Sequence, residues 1–312
     1  IQHLTDAPAP DGVPAGLRDA SGEYWKVTGV DGTVYYFGRD RAAIEGEALN
    51  STWTTPVYGN HPGEPGYDSL FASSAVQQAW RWNLDYVVDP TGNSMTYFYG
   101  SNTASYGADM GEKVRQYQPG GWLKRIEYGT REVIAGPDTP ANAPAKVSFD
   151  TTAREWSDAG VTKTDVPTDL RCAADATECK EKVSPAFYTT KQLTGVRTLA
   201  YDTSAGADVT VDEWQLRQSW FSPGDYSLGK GGTGRILRLD KITHTGRGGS
   251  SDAPDVTLPS VELGWEAMKN RLDTSTDDAA GMWRPRLTTI RTESGASVSV
   301  NYKGGCATKP AA

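Results

Sequence analysis

No stretch of this 312-residue chain approaches the roughly 20 consecutive apolar residues that a membrane-spanning helix needs, so insertion into a membrane is not expected. Positive charge is also short. There are 31 Lys and Arg against 39 Asp and Glu, a formal net charge of −8, and no basic cluster stands out. A nucleic-acid groove needs a positive footprint to hold phosphates, so nucleic acid is excluded as a partner. Histidine is limited to His3, His61 and His244, which leaves little for imidazole-based catalysis. The three cysteines include no CxxC pair and have no histidine spacing that would suit zinc. No long amphipathic helical pattern occurs, and no cofactor or metal site is expected. Ile1 begins directly in a polar, proline-rich segment with no signal peptide in view, which leads us to expect a mature or trimmed fragment.

The chain does have turn residues and aromatic rings: 34 Gly, 18 Pro, 10 Trp and 15 Tyr. Residues 80–100 read WRWNLDYVVDPTGNSMTYFYG. Trp80, Trp82, Leu84, Tyr86 and Val88 alternate with Arg81, Asn83 and Asp85, the period of a strand with one buried and one wetted face. Asp89, Pro90, Thr91, Gly92 and Asn93 then supply turn chemistry: proline presets φ, and glycine or asparagine accepts a positive φ. On the return, Met95, Tyr97 and Tyr99 share one face, with Ser94 and Thr96 on the other. The expectation is a β-hairpin with an aromatic inner face.

Residues 1–22 carry three prolines and read as an irregular lead-in. A second hairpin signal follows, with an Asp31-Gly32 turn between Trp25, Val27 and the run Tyr35, Tyr36, Phe37. Residues 39–79 form a long excursion in which 73–79 has the look of a short helix. Residues 101–120 and 130–145 read as loops, and 157–185 as a loop insertion holding Cys172 and Cys179. Strand after strand follows to residue 303, and 304–312 is a tail. The fold class is therefore all-β: repeated antiparallel hairpins forming an extended, curved sheet over residues 23–303. Six residues separate Cys172 from Cys179 in a polar loop, and either a disulfide or two free thiols fits. Disulfide-closed loops of oxidising compartments are the better parallel, so a bond is expected. Cys306 is left over, and its partner is expected beyond the end of the chain.

A short pattern recurs. Leu123-Lys124-Arg125-Ile126, Leu193-Thr194-Gly195-Val196, Leu239-Asp240-Lys241-Ile242 and Leu287-Thr288-Thr289-Ile290 all have the form L-x-x-[IV], and several precede a glycine turn. Recurrence of this kind points to stacked supersecondary units. Together with WRWNLDYVVDPTGNSMTYFY, GGWLKRIEYG and RPRLTTIRTESGASVSVNY, the pattern resembles the RHS/YD-repeat family. It looks most like large secreted actinomycete members and, more distantly, SpvB-type and insecticidal-toxin B components and the teneurin shell. The resemblance runs from about Tyr24 to Tyr302. It implies a secreted or cell-surface polymorphic-toxin scaffold. This segment would be a non-catalytic length of β-shell whose partners are other segments of the same shell and an enclosed C-terminal effector domain. Such shells often end in an aspartate-dependent self-cleaving motif with paired D-P-x-G segments. Asp89-Pro90-Thr91-Gly92 matches one, but no second follows, so self-cleavage is not expected here.

Three features bear on chemistry. His61, near Glu64 and Asp68, has no nucleophile elbow to serve and reads as a solvated histidine. The run 229–234, GKGGTG, lacks the order of a phosphate loop, and 273–281, DTSTDDAAG, lacks the spacing of a calcium loop. Two other function classes compete with the structural one. A carbohydrate-binding or adhesion β-module would display coplanar exposed rings. A glycoside hydrolase, the less expected of the two, would need two converging carboxylates.

Overall fold

The computed structural model describes residues 1–7, 14–40, 48–132, 142–158, 160–222, 235–249, 253–269 and 283–302. The expectations for 229–234, 273–281, Cys306 and the 304–312 tail lie outside these residues. Twenty strands follow one another, with three 3-10 turns and no other helix among the described residues. The first ten are β1 (Gln2–Leu4), β2 (Tyr24–Thr28), β3 (Val34–Phe37), β4 (Thr52–Tyr58), β5 (Ala75–Trp82), β6 (Leu84–Val88), β7 (Asn93–Ser101), β8 (Ala104–Ala108), β9 (Lys113–Tyr117) and β10 (Gly121–Arg131). The rest are β11 (Ala145–Ala153), β12 (Trp156–Asp158), β13 (Val161–Lys163), β14 (Lys191–Asp202), β15 (Ala207–Phe221), β16 (Ile236–Gly246), β17 (Val256–Thr257), β18 (Val261–Lys269), β19 (Trp283–Arg291) and β20 (Ser297–Ser299). The fold is all-β.

Fourteen strands join one sheet, in the order β1-β2-β3-β6-β7-β10-β11-β14-β15-β16-β18-β19-β20, with β17 beside β16. Three pairs stand off this path: β4–β5, β8–β9 and β12–β13. The chain divides into two compact units: Ile1–Phe149, Val166–Lys191 and Thr198–Val209 make the first, and Asp150–Asp165, Gln192–Arg197 and Thr210–Ala312 the second.

The first unit holds most of the buried side chains, among them Leu49, Trp53, Tyr86, Phe98, Tyr106 and Tyr117. The segment expected to be a loop at 101–120 is in fact the β8–β9 hairpin, whose Ala104, Tyr106, Ala108 and Tyr117 form a core cluster. Its small residues misled the reading. They are small because the 172–182 segment lies directly on the backbone: a Cβ at Gly107 would collide with the Cys179 carbonyl. Likewise 73–79 is not helical. A 3-10 turn at Phe71–Ser73 leads into β5, which pairs with β4 from Ala75 to Trp82. The lead-in, read as irregular, carries β1, paired with β2.

In the second unit, β16 and β19 are half-buried along almost their whole length. Half-burial at successive residues means that both faces of these two strands are partly covered, as in stacked units.

The L-x-x-[IV] recurrence has a structural basis. In β10, Leu123 opposes Tyr99 and Arg125 opposes Phe98, so Lys124 is an extra, unpaired residue. Asp240 is extra in β16 against β15, and Thr288 in β19 against β18. A regular strand puts positions i and i+3 on opposite faces; one inserted residue returns them to the same face. The pattern is therefore a β-bulge written in sequence. A further copy, Leu84-Asp85-Tyr86-Val87, has Asp85 as its extra residue against β3.

Each bulge opens toward the preceding strand. Pairing with the following strand is described only from the third motif position on: Tyr86 with Thr96, Arg125 with Ser148, Lys241 with Glu262, Thr289 with Ser299. In three copies the leucine carbonyl accepts a side-chain hydrogen bond from the next strand. Tyr99 Oη donates to Leu84 O at 2.7 Å, Gln218 Nε2 to Leu193 O at 2.7 Å, and Trp265 Nε1 to Leu239 O at 2.8 Å. A backbone acceptor displaced from the ladder is thus satisfied from the side.

Candidate functional site

The hairpin expected at 80–100 is divided by the structure. Trp80 and Trp82 belong to β5, which pairs with β4, whereas Leu84, Tyr86 and Val88 belong to β6 in the large sheet. They do not form one face of one strand. Trp80, Trp82 and Leu84 are half-buried, and Tyr86 and Val88 are buried. The break lies at Asn83, whose backbone N–H and Nδ2 both donate to Ser51 O, at 2.8 and 2.9 Å. The return strand also differs. Ser94 and Thr96 are buried with Phe98, opposite Val88 and Tyr86, while Met95 is exposed and Tyr97 and Tyr99 are half-buried. The inner face is a mixed polar and aromatic one, with the short hydroxyl side chains of Thr96 and Ser94 opposite Tyr86 and Val88.

Asp89 closes the turn. Its Oδ1 accepts the backbone N–H groups of Thr91 and Asn93 at 2.8 and 2.9 Å, and its Oδ2 accepts Asn93 Nδ2 at 2.8 Å. Gly92 sits at φ +85°, where a side chain would be strained. These bonds, the Asn93 side chain's foremost, hold the exposed Asp89 carboxyl down at about 2.

The tryptophans act as ties. Trp80 Nε1 donates to Gln118 O, Trp82 Nε1 to Glu23 O, Trp53 Nε1 to Asn50 O and Trp220 Nε1 to Glu155 O. All ten tryptophans are buried or half-buried. Cys172 and Cys179 are disulfide-bonded. Their loop is fixed to β8–β9 by reciprocal Ser105–Cys172 backbone bonds and by Ser105 Oγ and Gln116 Nε2, both donating to Ala174 O.

The histidines do not converge. His61 is exposed in a turn where Glu64 accepts the N–H groups of Asn60 and His61. His3 lies against Trp25 and Glu23. His244 stacks on its cross-strand partner Trp214 at 4.5 Å and bonds Asp212 through Nε2 at 2.8 Å.

The sequence reading missed the most unusual chemistry in the chain. Asn83 and Asp85, expected on a wetted face, are 8% and 0% exposed. The bulge is the reason: as the extra residue of β6, Asp85 is turned out of the alternation and into the first unit. There Asp85 Oδ2 accepts the Asp40 N–H at 2.7 Å and lies 2.8 Å from Ser51 Oγ. Ser51 Oγ is also 2.8 Å from Asp40 Oδ1, which accepts the Ser51 N–H at 2.6 Å. Asp40 takes a left-handed backbone, φ 55°, to make this approach. Among the described residues, Asp85 Oδ1 is buried with no hydrogen-bond partner.

Burial, with the Asp40 charge adding to it, pushes the Asp85 carboxyl up to about 7, and burial raises Asp40 as well. Arg39 acts the other way on Asp85, its guanidinium lying 4.4 Å from the Tyr86 ring centroid and 4.5 Å from that of Tyr36. Asp40 also borders a cavity of about 270 Å³, whose walls include Asp6, Leu17, Asp19, Glu23 and Thr52. The acids there are tied to the chain: Asp19 accepts from Ser21 Oγ and from the N–H groups of Glu23 and Ala79. Among the described residues, no three His, Cys, Asp or Glu side chains are grouped to hold a metal ion.

No protein-family model matches this chain, and no curated protein does. Three solved structures are loosely similar. TcdB2-TccC3 without its hypervariable C-terminal region is 15% identical at TM-score 0.36, covering 85% of this chain and 12% of its own. The Photorhabdus luminescens Tc holotoxin pore, with a mutated TccC3, is 14% identical at TM-score 0.34, covering 92% and 15%. The N-terminal domain of the effector protein SpvB from Salmonella typhimurium strain LT2 is 13% identical at TM-score 0.30, covering 78% and 86%. The chain thus spans about an eighth to a seventh of the first two. Superpositions this loose carry no argument about function, which has to come from the chain's own residues.

Proposed function

We propose that this chain is a non-catalytic structural length of a secreted RHS/YD-type β-shell, one that encloses or presents a C-terminal effector domain. The observation that supports this reading is the repeated bulge. Four of the five L-x-x-[IV] strands show the bulge against the strand before them, and in three copies the leucine carbonyl is satisfied by the strand after. A strand built this way is incomplete alone and belongs in a continuing wall. The tryptophans fit the same role. Their rings are covered and five of their indole N–H groups are tied to backbone carbonyls, whereas a sugar-binding platform presents open rings. The inward-facing partners would be further segments of the same shell.

Two measurements test this. The purified chain should show no turnover on glycan, ester, peptide or nucleic-acid panels. Expressed with its natural flanking segments, it should shield a C-terminal cargo from added protease. Turnover that vanishes on His61→Ala or Ser51→Ala would overturn the proposal, as would cargo digestion at the rate of free cargo.

A further inference from the structure

The Asp40–Ser51–Asp85 contact contains a counting problem. A serine hydroxyl has a single hydrogen, yet Ser51 Oγ lies 2.8 Å from a carboxylate oxygen on each side. With both acids ionised, one of these contacts would be oxygen against oxygen with no hydrogen between. A second proton resolves it: Asp85 Oδ2–H donates to Ser51 Oγ, and Ser51 Oγ–H donates to Asp40 Oδ1. This arrangement also suits the orphaned Asp85 Oδ1. It becomes a neutral carbonyl oxygen, far cheaper to bury unpaired than part of a carboxylate.

We propose that Asp40, Ser51 and Asp85 form a proton-held latch that fastens the β4–β5 pair to the large sheet, closed while the proton is present and loosened when it leaves. Three chain segments meet there. Residues 38–40 follow β3, 49–51 lead into β4, and 83–85 join β5 to β6. The last two flank the passage from a two-stranded sheet to the large one. Ser51 O accepts both Asn83 donors, Gly38 N donates to Asn83 O at 3.0 Å, and Thr52 Oγ1 donates to Gly38 O at 3.0 Å. Removing the proton puts two negative charges around one hydroxyl at the centre of this knot.

The surroundings set its range. Burial pushes up the hydroxyl of Tyr99 in β7, which also senses the Asp85 charge, and burial raises Tyr86 of β6 as well, so both are neutral near pH 7. Arg81 from β5 reaches it through Nε donating to Asn83 Oδ1, and Arg39 favours the ionised form of Asp85. On the cavity side, Asp19 and Glu23 line the same cavity as Asp40. A carboxyl whose pKa is raised in the closed state binds its proton there at pH values where the opened state has lost it. Closure is therefore firmest at low pH, weakens from about 4 to about 7, and is level above that. The proton belongs to the pair, and its loss is read as one event.

Hydrogen exchange of the Asp40, Ser51 and Asn83 amides, corrected for intrinsic rate, should test the latch between pH 5 and 8. The opening constant should rise by about tenfold per pH unit up to neutrality and then level off. In Asp85→Asn the rise should be absent. Infrared difference spectra should show a protonated-carboxyl C=O band at pH 6 that disappears by pH 9 and is missing in Asp85→Asn. Equal pH slopes in wild type and Asp85→Asn would overturn the latch. Should that variant not fold, the wild-type spectrum decides alone: no protonated-carboxyl band at pH 6 means no latch. Because neither readout involves cargo or catalysis, this result is separable from the fate of the shell proposal.

Discussion

Asp89 and Asp85 lie four residues apart and respond to their surroundings in opposite directions. Asp89 is exposed and held down at about 2 by the bonds it accepts within its turn. A lowered pKa contributes stability above the ordinary carboxylate range, and that stability is lost as pH falls through about 2. Thermal unfolding of the wild type should therefore weaken between about pH 4 and 2 partly through this turn, and Asp89→Ala should make that decline shallower while lowering the midpoint at neutral pH. An acid limb unchanged by the substitution would contradict this. The turn was legible because its chemistry is local: every partner of Asp89 lies within four residues. Asp85 was not, since its fate depends on Asp40 and Ser51, 45 and 34 residues away, and on a shift in alternation that a period-two reading does not anticipate.

At the scale of the strand, the donors that reach the displaced leucine carbonyls should be worth more than their exposure suggests. Tyr99→Phe, which removes the donor to Leu84 O, should cost about 1 kcal/mol in denaturant unfolding. Tyr97→Phe should stay within about 0.5 kcal/mol, since among the described residues that hydroxyl reaches only Met95 Sδ at 3.7 Å. Gln218→Met should cost about the same as Tyr99→Phe. The two losses should add in the double variant, because they fall in separate units and share no partner. A Tyr99→Phe cost no larger than that of Tyr97→Phe would remove the capping role. The recurrence itself was visible in the sequence, but its meaning was not. L-x-x-[IV] states that two apolar residues share a face; only the register shows that a regular strand would have separated them. The same shift explains why the β5–β6 tract was read as one strand when Asn83 ends one sheet and begins another.

At the scale of the molecule, the disulfide should stabilise the first unit alone. Its loop is short, so its loss through Cys172→Ser with Cys179→Ser should cost roughly 2 kcal/mol. Exchange protection should fall in 166–190 and in β8–β9, which the loop covers, and remain unchanged in β16, β18 and β19. Uniform loss across both units would mean that the bond acts on something other than its own hairpin. An all-β architecture was evident from the turn residues and alternating runs. The β8–β9 core was hidden because its alanines and glycines look like loop composition until the covering segment is in place.

The bulges also give the sheet a direction in time. Four L-x-x-[IV] strands are bulged against a strand already synthesised, and in three copies the group that satisfies the leucine carbonyl arrives only with the strand still to come. During translation each of these three strands would be aligned yet unfinished until its successor completed it. Such a chain grows from its N-terminal end as a ratchet does, each step securing the previous one. A ribosome pausing after β6, β14 or β16 would leave one uncapped carbonyl at the growing edge, whatever length of wall had already been laid down.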